Sequence, residues 1–310
     1  MKTTSWLKMS DGEEIFVSTW SEEGISPKTI LQLSHGMGEH IARYDAFAQY
    51  LVDQGIIVVG NDHRGHGETG SKSGQLGFFA AERGFERAVE DLKEINNSIK
   101  EQYPNTPIFI MGHSMGSFLV RRFLQRFQTG VDAVILSGTG GNPGFMGKIA
   151  KTIAKSQIRK LGQTSESQLM NKLIFGRYNK NIPNMKTSSD WLTRDHQEVQ
   201  KYIEDKYCGF IPTTSFFYDL MEGLESIHKN DEVGKINKKL PFFIFSGDQD
   251  PVGNYSKGVV EVIKQYKNSG INNIEHKFYK EGRHEMLNEL NRTEVYHDIS
   301  TWIEKQLKTL

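Results

Sequence analysis

The chain has 310 residues, with Lys+Arg and Asp+Glu equal at 38 each and a formal net charge of zero. That balance gives no global attraction to nucleic acid or anionic lipid, and 37% hydrophobic with 25% charged residues excludes a disordered or low-complexity chain. The single cysteine, Cys208, excludes an intramolecular disulfide and a cysteine-only zinc site. The N-terminus shows no apolar leader, and no apolar run approaches the ~20 residues of a membrane-spanning helix. The expectation is a cytoplasmic protein.

Asp11-Gly12 is a hairpin-turn signal between residues 6–10 and 14–20, which predicts an antiparallel start. Short apolar runs follow at 29–33, 56–60, 107–111, 131–136 and 241–245, with a last strand predicted at 273–279. Continuous apolar strands imply a sheet covered on both faces, hence a mostly parallel one. Between them, Phe85, Ala88, Val89, Leu92, Ile95 and Ile99 recur at helical spacing, and Tyr103-Pro104 ends that helix. Residues 117–128 predict a short core helix, and Val295, Ile299, Trp302, Ile303 and Leu307 a C-terminal one. The alternation fails between about 140 and 239 and then resumes. We therefore expect an α/β core from residues 1–139 and 240–310 and a helical insertion at 140–239.

Gly112-His113-Ser114-Met115-Gly116 fits G-x-S-x-G, with a strand predicted before it and a helix after it. A serine on so tight a strand-to-helix turn needs glycines on either side, because Cβ atoms there would clash. Ser114 is the candidate nucleophile. A hydroxyl needs a base and an orienting acid. In this kind of fold they follow in the order acid, then histidine. Asp248 and Asp250 both lie just past the strand at 241–245. Asp250 is preferred because Pro251-Val252 turns the chain there, and Asp248 is expected to bond the loop backbone. His284, in a Gly-containing loop after the last strand, is the candidate base. Ser34-His35-Gly36-Met37-Gly38 follows the strand at 29–33, and its turn can aim an amide at a substrate carbonyl. The candidate oxyanion donors are the amides of Met37 and Met115. This chemistry needs no metal and no cofactor.

At these residues the sequence resembles the α/β-hydrolase superfamily, and within it the monoacylglycerol lipase and lysophospholipase group of serine hydrolases. The resemblance rests on His35-Gly-Met-Gly-Glu-His-Ile-Ala-Arg-Tyr44, Asp62-His-Arg-Gly-His-Gly67, residues 112–116 and Gly247-Asp-Gln-Asp250, with a cap-like segment from Trp191 to Tyr202. It implies the α/β-hydrolase fold: a mostly parallel eight-stranded sheet flanked by helices, with a helical cap inserted between strands. It also implies hydrolysis of a single acyl ester through an acyl-enzyme, and a substrate-binding role for Glu39 and Arg43 at the polar, head-group end of the site. The plain alternative for that pair is an exposed i,i+4 ion pair. Glu68-Thr69 stands where the group usually has arginine and serine, so the Asp62 loop reads as a structural turn. Relatives with aspartate nucleophiles, such as haloalkane dehalogenases and epoxide hydrolases, are set aside by Ser114.

Two other functions remain open on the sequence. One is a serine aminopeptidase or thioesterase of the same fold, whose peptidase form would hold a substrate amine with cap acids such as Asp190, Asp195 or Glu198. The other is a non-catalytic small-ligand-binding protein. Residues 146–162 carry Lys148, Lys151, Lys155, Arg159 and Lys160 among Ile149, Ile153, Ile158 and Leu161, with no acid. This is a basic amphipathic helix, capable of peripheral membrane contact or of covering the site. The expected partner is a small acyl ester; no nucleic acid is expected.

Overall fold

The computed structural model describes residues 1–24 and 26–310. Eight strands form one sheet: β1 Lys2–Lys8, β2 Glu14–Trp20, β3 Thr29–Ser34, β4 Ile56–Asn61, β5 Ile108–His113, β6 Ala133–Ser137, β7 Phe242–Gly247 and β8 Ile274–Tyr279. Their order is β1-β2-β4-β3-β5-β6-β7-β8. Only β2 runs against its neighbours, pairing antiparallel with both β1 and β4; every other pair is parallel. The expected mostly parallel, eight-stranded α/β-hydrolase sheet is therefore present.

The central strands are wholly buried because each of their faces meets helices. Alternate residues serve opposite cores. Phe109, Met111, Ile135, Phe243 and Phe245 pack with α1 (Asp45–Val52) and α11 (Arg292–Leu307), where Phe47, Leu51, Ile299 and Trp302 meet them. Ile110, Val134, Leu136, Phe242 and Ile244 face α3 (Gly84–Gln102), α4 (Met115–Arg126) and α10 (Lys257–Asn268). This two-sided burial is why those strands read as unbroken apolar runs. A short helix, α2 (Gly67–Ser73), follows β4.

The first strand departs from expectation. It spans Lys2–Lys8 rather than 6–10, and Met9 to Glu13 form the turn, closed by the Met9 amide on the Glu13 carbonyl at 2.7 Å. β1 is an exposed edge strand, so no core face marks its register in the sequence.

Between β6 and β7 the chain makes α5 (Gly144–Leu161), α6 (Gln168–Phe175), α7 (His196–Glu204), α8 (Thr214–Ile227) and α9 (Asn230–Val233), the inserted helical cap. α8 packs on α5 on one side and on α3 and α4 on the other. We propose 140–239 as the bounds of the insertion, with α8 acting as its floor. Lys151 on α5 is no free lysine. It pairs with Glu225 at 2.9 Å and Glu222 at 3.4 Å on α8, leaving Lys148, Lys155, Arg159 and Lys160 exposed.

Burial pushes five histidines down: His35, His66 and His228 to about 3, His113 to about 4, and His63 well below its usual range. A histidine kept neutral by the fold but protonated when unfolded destabilises the native state as pH falls below 6.5, by up to about 1.4 kcal/mol per pH unit each. Burial raises Asp91 to about 6 and Asp219 to about 7, which act in the opposite sense but are outnumbered. Thermal melts should therefore show Tm falling steeply from pH 6.5 to 4.5; a flat profile would contradict this.

Candidate active site

All the candidate groups sit at the C-terminal ends of strands, the usual binding edge of an α/β sheet. β5 delivers Ser114, β3 the Met37 loop, β7 Asp250 and β8 His284, while β6 leads into the cap. Ser114 has φ 51° and ψ −120°, a backbone strain worth about 1–3 kcal/mol. A Cβ on Gly112 would collide with the Gly116 carbonyl, and one on Gly116 with the Ser34 and His35 carbonyls. The two glycines are thus what let α4 approach β3 and lift Ser114 out of the sheet. The start of α4 lies beneath Ser114, and Met115, its first residue, has no intrahelical acceptor for its amide. That positive helix end favours developing negative charge.

Asp250 and His284 meet. His284 Nδ1 lies 3.0 Å from Asp250 Oδ1, and the same oxygen accepts the Val252 amide at 2.8 Å. Both residues are buried. Asp248 instead accepts the Glu281 amide at 2.9 Å and stays out of this pair. With its Nδ1 proton committed to Asp250, His284 keeps Nε2 unprotonated for a base role. Its ring lies between Trp191 of the cap and His113, with centroids 5.0 and 4.7 Å away. Ser114 and His284 line one cavity. Among the described residues, Ser114 Oγ makes no hydrogen bond of its own, as is common for nucleophiles without substrate.

Burial pushes the His284 imidazole down, but the Asp250 carboxylate, by its charge and its hydrogen bond, followed by Glu285 and Glu39, outweighs it and raises the net value. A base must be neutral to act. Activity should therefore rise with pH through an apparent pKa above the ordinary 6.5 of histidine. A kcat/KM profile with its acid limb at pH 6 or below would contradict this.

The Met37 loop is held from both sides. His63 N–H donates to His35 Nε2 at 3.0 Å, so the His35 proton sits on Nδ1 and bonds the Gly36 carbonyl at 2.7 Å. Glu39 Oε1 accepts the Gly36 amide at 2.6 Å and the Tyr44 hydroxyl at 2.8 Å. Among the described residues no backbone acceptor takes the Met37 amide. The Asp62 loop is structural, as expected: its carboxylate accepts the Ile41 and Glu68 amides, and Arg64 is buried against Asp91.

Glu39 and Arg43 are not an exposed surface pair. Glu39 is buried, the Arg43 side chain is only 9% exposed, and Arg43 bridges Glu39 at 2.8 Å to Glu285 at 2.5 and 2.7 Å. Burial tends to neutralise Glu39, but Arg43 leads the groups that hold its carboxyl below the ordinary range. Glu39 and Glu285 line the cavity; Arg43 lies one layer behind and stacks on the Tyr202 ring at 4.9 Å. Glu285 was not singled out in the sequence, and Trp191 was named only as the start of the cap-like segment, not as a neighbour of His284. Glu285 adjoins His284, so its position next to the candidate base was the available signal.

The cavity measures about 770 Å³, ample for a lipid-sized ligand. Its cap wall comes from Met146, Ile149, Leu173, Ile174, Phe175 and Met221 among others, and no Asp or Glu of the cap lines it. Asp190 caps the Lys186 and Thr187 amides, Asp195 caps Gln197 and pairs with Arg292, and Glu198 pairs with Lys201.

The family model described as Serine aminopeptidase, S33, matches residues 25–291. Rat monoglyceride lipase is 26% identical over 97% of this chain and 90% of its own length. The monoacylglycerol lipase of Mycolicibacterium smegmatis is 25% identical over 96% of this chain and 95% of its own. A thermostable carboxyl esterase from Bacillus coagulans, solved in complex with glycerol, superposes with a TM-score of 0.91 at 27% identity over 99% of both chains. The elbow, the sheet order and the inserted cap agree with these matches, and the chain belongs to the Serine aminopeptidase, S33, family of the α/β-hydrolase superfamily, in the serine-hydrolase group related to the monoacylglycerol lipases.

Proposed function

We propose that the protein hydrolyses monoacyl lipid esters with a neutral, hydroxyl-bearing head group, with Ser114, Asp250 and His284 as its catalytic triad. His284 takes the Ser114 proton as Oγ attacks the ester carbonyl carbon. The Met37 and Met115 amides hold the oxyanion. The tetrahedral adduct collapses, the C–O bond to the alcohol breaks, and His284 returns the proton to the leaving oxygen. Water, deprotonated by His284, then attacks the acyl-enzyme carbonyl; the bond to Ser114 Oγ breaks, His284 returns the proton to Oγ, and the acid leaves.

One observation carries the substrate class: a mostly apolar cap wall meets a polar end formed by the Glu39 and Glu285 carboxylates, with the Arg43 guanidinium behind them. The acyl chain would lie along the cap wall. Glu39 and Glu285 accept hydrogen bonds from hydroxyls and repel a phosphate, since the Glu39–Arg43–Glu285 group carries a net negative charge. No cap carboxylate lines the cavity, and Glu39 and Glu285 are already engaged by Arg43, which leaves a substrate amine without a dedicated partner and disfavours an aminopeptidase. Parallel assays on a monoacylglycerol, a lysophosphatidylcholine and an aminoacyl p-nitroanilide test this. The expected order places the monoacylglycerol first by kcat/KM. Preference for the amide or the phospholipid would overturn the substrate assignment.

Peripheral membrane contact is a second reading, favoured by the cap surface. Phe145, Met146, Leu161, Leu169, Leu173 and Met185 are exposed there beside Lys148, Lys155, Arg159 and Lys160. No helix of the described residues is long and apolar enough to cross a membrane, so the contact would lie at the interface. Co-sedimentation with anionic vesicles should weaken as salt rises and fall further in Phe145→Glu. Binding absent at low salt would remove this reading.

A further inference from the structure

Just behind the cavity-lining residues Glu39 and Gly209, the side chains of His40, Asp205 and Cys208 bring three different ligating atoms within 4.8 Å of one another. They come from two sides of the molecule. His40 lies just past the Met37 loop of the core, and Asp205 and Cys208 follow α7 in the cap. Local geometry presets the cap half. The Cys208 amide donates to the Asp205 carbonyl at 3.0 Å, and Asp205 Oδ1 accepts the Tyr207 amide at 2.8 Å. That tight turn commits one carboxylate oxygen and leaves Oδ2 facing His40 Nε2 at 2.8 Å. The Tyr207 ring meets the His40 ring edge-on, with centroids 5.7 Å apart.

We propose that His40, Asp205 and Cys208 form a binding site for a borderline-soft divalent cation, zinc above all. Imidazole, carboxylate and thiolate are the zinc donor set, and three protein ligands leave one position for water. With metal–nitrogen and metal–oxygen bonds of about 2.0 Å, tetrahedral ligands stand about 3.3 Å apart. His40 and Asp205 need to part by only about half an ångström relative to their present hydrogen bond. Binding exchanges the Cys208 thiol proton, released to solvent, for the cation. A bound ion would tie the cap to the core beside the place where the Gly209 amide already donates to the Gly38 carbonyl at 3.0 Å. This proposal stands independently of the lipid substrate.

Cobalt(II) titrated into the full chain is the test, because thiolate ligation gives a near-ultraviolet charge-transfer absorption. One equivalent should produce that band, and zinc should bleach it. Cys208→Ser should abolish the band while leaving ester hydrolysis unchanged, and His40→Gln or Asp205→Asn should weaken cobalt binding about 10-fold or more. Zinc should also protect Cys208 from iodoacetamide in the unmodified protein. No band in the parent protein, or a band that persists in Cys208→Ser, would overturn the site.

Discussion

Ser114→Ala should lower kcat on a short p-nitrophenyl ester by about 10⁶, with KM little changed. The substitution removes only the hydroxyl. Alanine at φ 51° is as strained as serine, so the elbow keeps its cost and Tm should stay near that of the parent. The residual rate would come from the Met37 and Met115 amides and from binding alone. Turnover within about 10-fold of the parent would mean that another group performs the attack.

The second large effect is expected at Arg43. Arg43→Met leaves Glu39 and Glu285 buried without their shared cation, a loss of the kind that costs about 3–5 kcal/mol. Tm should drop by about 10 °C. The catalytic effect runs through position. Glu39 holds the Gly36 amide next to Met37, and Glu285 follows His284 in the chain, so Arg43 ties the oxyanion loop to the histidine loop. A displacement of about 1 Å between them costs about 10² in rate. The fall should therefore appear mainly in kcat, because Arg43 does not line the cavity. Arg43→Lys keeps the charge but cannot hold Glu285 with two parallel bonds, so it should fall between the two. A methionine variant with parental Tm and kcat would reduce this group to a passive ion pair.

This contrast marks what the chain reveals on inspection and what it hides. The central strands could be read because both of their faces are buried, which makes five of them continuous apolar runs. The Ser114 elbow could be read because strain demands glycines at fixed offsets. Asp250 could be preferred over Asp248 because Pro251-Val252 turns the chain there; in the structure Asp250 accepts the Val252 amide and Asp248 the Glu281 amide. The Arg43–Glu285 pair could not be read. Its members lie 242 positions apart, and local periodicity shows only the i,i+4 neighbour Glu39, which looks like surface. The same blindness hid the Lys151–Glu225 pair, which takes one lysine out of the basic face of α5. β1 was misplaced because an exposed edge strand leaves no apolar alternation to count.

In the proposed mechanism, hydrolysis by this chain runs through a covalent bond from the Ser114 hydroxyl to the acyl group. Treatment of the unmodified protein with a fluorophosphonate, followed by peptide mass spectrometry, reads that bond directly. The prediction is a single adduct on Ser114, formed faster as pH rises through the His284 transition. An adduct on a different residue, or no adduct under conditions where the protein hydrolyses esters, would contradict it.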